Sequence, residues 1–152
     1  MSVAVLAGGE VFAADVSDAA FEAAKAAGVK DTFLSAEEFA DLDLDVIIDF
    51  AGVDTTKTAI EMVKHGGRVV QVGLGKPEIT FPTTSLVFRE VHLVGSLAGS
   101  TADTAALYEF MADGSFSIDV EPITFDEIND GLLRMRRGEL RGRRLVADYS
   151  LG

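Results

Sequence analysis

Between residues 45 and 75 the apolar positions change period twice. Asp45-Val46-Ile47-Ile48-Asp49-Phe50-Ala51-Gly52 is a short, nearly continuous apolar run bounded by a glycine. The following stretch carries Ala59, Met62 and Val63 at i, i+3 and i+4, and Gly66-Gly67-Arg68-Val69-Val70-Gln71-Val72-Gly73-Leu74-Gly75 returns to a β-branched run. Strands that are apolar on both sides belong to a parallel sheet covered on both faces, so the segment predicts a β-α-β unit. Its glycines follow the strands, where an open α/β sheet brings backbone close to a ligand, and this points to a nucleotide site.

The rest of the chain alternates in the same way, without repeats or a long linker. Val11-Phe12-Ala13-Ala14 predicts a strand ending at Asp15; Ser17 then caps a helix in which Phe21 and Ala24 share a face, and Gly28 stops it. Thr32-Phe33-Leu34 is a short strand, and Ser35 with Glu38 has capping-box spacing. After the strand at 45–50, Asp54 can cap the helix that the glycines at 66 and 67 end. Ile79-Thr80-Phe81-Pro82 is extended, and Val91 to Leu97 reads as the last strand of the sheet. Ser100 and Asp103 open a helix with Leu107, Phe110 and Met111, closed by Gly114. Thr124 and Glu127 open another, with Ile128, Leu132 and Met135 on one face and Gly138 as its stop.

At 152 residues, 48% hydrophobic and 25% charged, the chain fits one folded domain, residues 1–152, rather than a disordered one. No apolar run approaches the roughly 20 residues that span a bilayer, and Met1-Ser2-Val3-Ala4-Val5-Leu6-Ala7 lacks the features of a secretory signal, so a cytoplasmic protein with no membrane partner is expected. A net charge of -12 disfavours polyanions. Arginines at 134, 136, 137, 141, 143 and 144 face only Glu139 in that stretch, and they suit a helix C-terminus better than nucleic acid. The acidic run Asp41, Asp43, Asp45 reads as a solvated loop.

Little in the chain can hold a metal or form a nucleophile. Catalytic zinc normally takes about three His, Cys or carboxylate ligands, and the chain has two histidines and no cysteine. His65 is expected at a helix C-terminus, where the dipole favours a cation, and His92 on a strand at a surface or interface. No catalytic or metal residue is assigned.

VFAADVSDAAFEAAKAAG, DVIIDFAGVDTT, GGRVVQVGLG, ITFPTTSLVFREVHLVGSLAGS and VEPITFDEINDGLLRMRRGELRGR, in this order, resemble the cofactor-binding half of the medium-chain, zinc-type alcohol dehydrogenases. The resemblance runs from about Gly9 onward, with REVHLV followed by GSLAGS its most specific part. It implies an α/β fold: a Rossmann-like, doubly wound parallel sheet, with residues 120–152 similar to the segment that returns toward the family's catalytic domain. The family's opening strand and G-x-G-x-x-G loop have no counterpart here, and residues 3–9 resemble only the tail of the helix after that loop. The domain carrying the zinc ligands is likewise unmatched, so the sequence resembles a C-terminal portion that by itself would be inactive.

The resemblance also assigns a cofactor. It implies NAD, with zinc only in the unmatched domain, and hydride exchange with a small alcohol or carbonyl substrate by the whole protein. Asp15, ending the second strand of the family's domain, would accept the adenosine ribose hydroxyls and repel a 2′-phosphate; otherwise it serves the helix that follows. Val16 would flank the adenine, and Phe50, Ala51 and Gly52 would line the adenine and ribose. Val72, Gly73 and Leu74 would approach the nicotinamide ribose, Ser96 and Leu97 the carboxamide, and Arg143 the pyrophosphate. The apolar members suit an ordinary core equally well. A homo-oligomer through residues 87–100 is implied too, because Val91, Leu93, Val94 and Leu97 sit on an edge strand without proline or lysine. A non-catalytic nucleotide- or partner-binding domain and a zinc-free quinone or enoyl reductase are the alternatives. Without the family's central strand, its neighbours would keep bare edges, to be filled by residues 3–7, another copy of the chain or a separate segment.

Overall fold

The computed structural model describes residues 1–140 and 144–150, and the chain divides into two compact units. One comprises Ala14–Val16 and Phe33–Thr101, the other Met1–Ala13, Ser17–Thr32 and Ala102–Gly152.

The first unit is built on three parallel strands, β3 (Val46–Asp49), β4 (Arg68–Gln71) and β5 (His92–Gly95), in that spatial order, numbered after two earlier strands, β1 (Phe12–Ala14) and β2 (Asp31–Phe33). The register Ile47–Val69–Leu93 sets one residue of each strand in a row across the sheet. The α-helices before this sheet are α1 (Ser2–Leu6) and α2 (Phe21–Ala26); α3 (Thr55–Met62) makes the crossover from β3 to β4, and α4 (Thr83–Arg89) that from β4 to β5. Ala59, Ile60 and Val63 pack with Val69 and Val91 in a buried core, joined by Ile47, Phe81 and Leu86. Burying such aliphatic side chains stabilises by about 1.5–3 kcal/mol each, before the entropy of ordering them. The β-α-β unit read from the sequence is therefore present. Helix α4 was not expected: Ile79-Thr80-Phe81-Pro82 reads as extended, and no helix is read between it and the strand at Val91; Pro82 takes the N-cap position, and Leu86 reaches the core.

The second unit holds α1, α2, α5 (Thr101–Ala112, all but its first residue), β6 (Val120–Ile123), α6 (Ile128–Arg136) and β7 (Arg144–Ala147). Ser17 accepts the Ala19 N–H at 3.2 Å, and Gly28 and Gly138 take the positive φ expected of helix stops. Strands β6 and β7 form a separate parallel pair that the sequence did not signal: Pro122 and alternating charge hide the first, and arginines the second. The Arg134 guanidinium on α6 reaches the Glu121 carboxylate of β6 through both nitrogens, at 2.7 and 3.2 Å.

The pair β1–β2 begins in the second unit and ends in the first. Among the described residues β1 has only β2 as a strand neighbour, and β3 only β4. Residues 3–7 do not fill either edge with a strand. Ser2–Leu6 is a helix whose last turn is closed by Ala7 N–H on the Val3 carbonyl at 2.9 Å, as resemblance to a helix tail implied. No helix among the described residues is long and apolar enough to cross a membrane.

Candidate nucleotide site at the strand ends

In a parallel sheet every strand delivers its carboxyl end to the same side, so the loops after β3, β4 and β5 are neighbours by construction. Two of them are bound backbone to backbone. The Asp49 carbonyl accepts the N–H groups of Val72 and Gly73, both at 2.9 Å, Gly75 N–H reaches the Ala51 carbonyl at 3.1 Å, and Lys76 N–H reaches that of Gly52 at 2.8 Å. Ser96, just past β5, donates its N–H to the Gln71 carbonyl at 2.9 Å.

Glycine is required here for a reason different from the one the sequence suggested. A side chain at Gly52, whose φ is +61°, would run into the Gly73 carbonyl; one at Gly73 would run into Phe50, and one at Gly75 would lie 2.5 Å from the Ala51 carbonyl. The glycines let the two loops approach each other, which leaves other residues to meet a ligand. Among those, Phe50 is 69% exposed and Leu74 84%, while Leu97, beyond β5, is 92% exposed. Val72 is half-buried and Ala51 and Ser96 are exposed.

Asp15 follows β1 directly, exposed, with its N–H on the Phe33 carbonyl at 3.1 Å; Val16 beside it is 95% exposed. These two belong to the end of the β1–β2 pair, which forms a sheet of its own, distinct from the β3–β4–β5 sheet, among the described residues. Arg143 lies outside the described residues.

One polar group here escaped the sequence reading. Asp49, at the end of β3, is 6% exposed, and its carboxylate accepts the N–H groups of Ala51 and Gly52 at 2.9 and 3.0 Å and the hydroxyls of Thr55 and Thr56 at 3.0 and 2.5 Å. Burial, the largest single influence, pushes its pKa up, but the bonds from Thr56, Gly52, Thr55 and Ala51 together hold it below the ordinary value. Because the folded pKa is depressed, the stabilisation is present above the ordinary carboxylate range and is lost as pH falls through the lowered value. An aspartate closing an apolar strand reads as a boundary residue, and only its burial marks it as a hub.

Two other readings are corrected by the geometry. Asp54 stands at the N-cap of α3 but makes no capping bond; its carboxylate pairs with Lys76 at 2.7 Å. His65 lies beyond the end of α3 at Met62, exposed, with Nδ1 3.9 Å from a Glu90 carboxylate oxygen. The cation on that helix end is Arg89, whose guanidinium donates to the carbonyls of Ile60 at 2.9 Å, Glu61 at 2.5 Å and Val63. No group of three His, Asp or Glu side chains converges to hold a metal among the described residues, so these do not fit a zinc ion.

Comparison with known proteins agrees with the fold. A zinc-binding dehydrogenase family model matches residues 1–113. The chain is 29% identical over 104 residues to a probable cinnamyl alcohol dehydrogenase 6 of Oryza sativa subsp. japonica, covering 68% of this chain and 29% of that protein. It is 33% identical over 87 residues to an alcohol dehydrogenase of Geobacillus stearothermophilus, covering 57% and 26%. The structure of acetophenone reductase from Geotrichum candidum, in complex with NAD, superposes with a TM-score of 0.89 at 28% identity, over 98% of this chain and 44% of that one. The chain thus spans less than half the length of these relatives. A family match over most of its length means that this chain belongs to the zinc-binding dehydrogenases, and its parallel sheet, superposing on that of the acetophenone reductase, gives it a Rossmann-like fold.

Proposed function

We propose that the chain is the NAD-binding portion of a zinc-dependent alcohol dehydrogenase. The observation that carries this reading is the placement of its exposed apolar side chains: Val16, Phe50, Leu74 and Leu97 each follow the carboxyl end of a strand, β1, β3, β4 and β5 respectively. Leaving such groups in water forfeits roughly 1.5–3 kcal/mol each, which a planar base or nicotinamide can recover by covering them. When bound, NAD supplies the hydride-accepting carbon.

This chain's own residues bind and orient it. Asp15 accepts the ribose hydroxyl protons and disfavours the 2′-phosphate of NADP, and Val16 and Phe50 flank the adenine. Ala51 lines the ribose, Val72 and Leu74 the nicotinamide ribose, and Ser96 and Leu97 the carboxamide. The whole protein exchanges hydride with a small alcohol or carbonyl compound in the cytoplasm, and no zinc-dependent step is assigned to the residues described. Two copies pair through residues 87–100, since β5 is exposed along its length and ends its sheet.

Isothermal titration of the chain with NAD and NADP tests the cofactor. Binding of NAD in preference to NADP, with a gap that Asp15→Ala narrows, is expected. Equal binding of both, or a gap indifferent to Asp15→Ala, would remove the reading.

A further inference from the structure

The buried carboxylate of Asp49 binds the loop after β3 directly and is linked to the loop after β4 only through two further side chains. Its Oδ1 holds the N–H groups of Ala51 and Gly52. Its Oδ2 lies 2.5 Å from the hydroxyl of Thr56, which is fully buried on α3, and the same hydroxyl stands 2.5 Å from Gln71 Oε1. Gln71 in turn donates from Nε2 to the Gly73 carbonyl at 2.8 Å. A polar path therefore runs from the loop after β3, through a helix side chain, to the loop after β4. Thr56 is 15 residues from Gln71 and has no bond of its own to the second loop. The Thr56 hydroxyl is the joint of this path, and losing it would take a hydrogen-bond partner from polar atoms of both Asp49 and Gln71.

We infer that Asp49 is a positioning residue for nucleotide binding: it orders residues 50–53 directly and residues 72–75 through Thr56 and Gln71, so that Phe50 and Leu74 are presented in one fixed register. This rests on the NAD-binding reading, but part of its test does not need NAD. A threonine hydroxyl has one proton and here lies between two acceptors, so the carboxylate and Gln71 compete for it. In Asp49→Asn the new carboxamide can still accept from Ala51 and Gly52 while donating to Thr56, whose proton then goes to Gln71. The network survives without the charge.

The experiment is a set of amide-resolved spectra of the full chain, alone and titrated with NAD. Without NAD, Thr56→Val is expected to move the amide resonances of Gly73 and Leu74, to which its hydroxyl makes no hydrogen bond. With NAD, Asp49→Ala is expected to weaken binding about tenfold, the effect of losing one buried hydrogen-bonded group, and Asp49→Asn to restore most of it. Should Asp49→Ala fail to fold, Thr56→Val carries both measurements. Unmoved Gly73 and Leu74 resonances in Thr56→Val would overturn the inference, as would wild-type affinity in a folded Asp49→Ala chain. Asp49→Asn binding as poorly as Asp49→Ala would also overturn it, since the effect would then belong to the charge. Wild-type chain that ignores NAD while Thr56→Val still moves Gly73 and Leu74 would strike the nucleotide reading and with it the purpose assigned to Asp49, leaving the loop coupling itself confirmed.

Discussion

At the level of single residues, what matters at the strand ends is how little room the backbones leave. Gly52 combines a left-handed φ of +61° with a missing Cβ that would meet the Gly73 carbonyl, so conformation and sterics oppose any side chain together. Gly52→Ala is therefore expected to lower stability by about 2 kcal/mol or more, since strain at a special backbone position adds to overpacking. Urea denaturation followed by circular dichroism would show it, and a midpoint equal to wild type would mean that the loops can part. Gly66, with φ +71° but open space around its Cβ position, should suffer only the conformational part of that penalty.

Among the elements, α3 is finished from a distance. The carbonyls of Ile60 and Glu61 in its last turn, and that of Val63 just past its end, are satisfied by the Arg89 guanidinium at the end of α4, and the Arg89 carbonyl accepts the Gly66 N–H at 2.8 Å. This gives a physical reason for the REVHLV stretch: arginine ties the two crossover helices together, Glu90 turns the chain at φ +53°, and Val91 enters the core. Arg89→Met keeps much of the apolar stem but loses every bond, and is expected to cost about 2–3 kcal/mol, the range for hydrogen bonds from a charged donor. Arg89→Lys should recover only a fraction, because one ammonium cannot span the fork. Thermal melting of the three proteins decides this, and a lysine variant as stable as wild type would count against the fork. The edge strand β5 makes a second element-scale prediction. Sedimentation of the native chain should show a dimer that Leu93→Lys reduces to monomer, and a native monomer would refute pairing through residues 87–100.

On the scale of the whole molecule, the donor set decides what chemistry to expect. Two exposed histidines and no cysteine leave a zinc ion without convergent ligands among the described residues. Elemental analysis of the purified 152-residue chain is expected to find well under one zinc per chain, and simple alcohols with NAD should yield no NADH. Stoichiometric zinc or steady NADH production would place catalytic ligands within this sequence after all.

How much of this was written along the chain depends on the range of the interaction. The β-α-β unit, the capping boxes at Ser35 and Thr124 and the glycine stops at 28, 114 and 138 rest on neighbours within a few residues, and all were legible without coordinates. So was the family, because its signature is an ordered string of such local features. The α4 helix, the β6–β7 pair, the arginine that completes α3 and the Asp49 hub were not. Arg89 meets Ile60 across 29 residues of chain, and Thr56 meets Gln71 across 15, so neither partner carries a local mark of the other. The same is true of the glycines after β3 and β4. Local sequence determined that these positions needed glycine, and only the packing of one loop on another decided what had to come so close, because a Cβ is excluded by whatever the fold puts in its place.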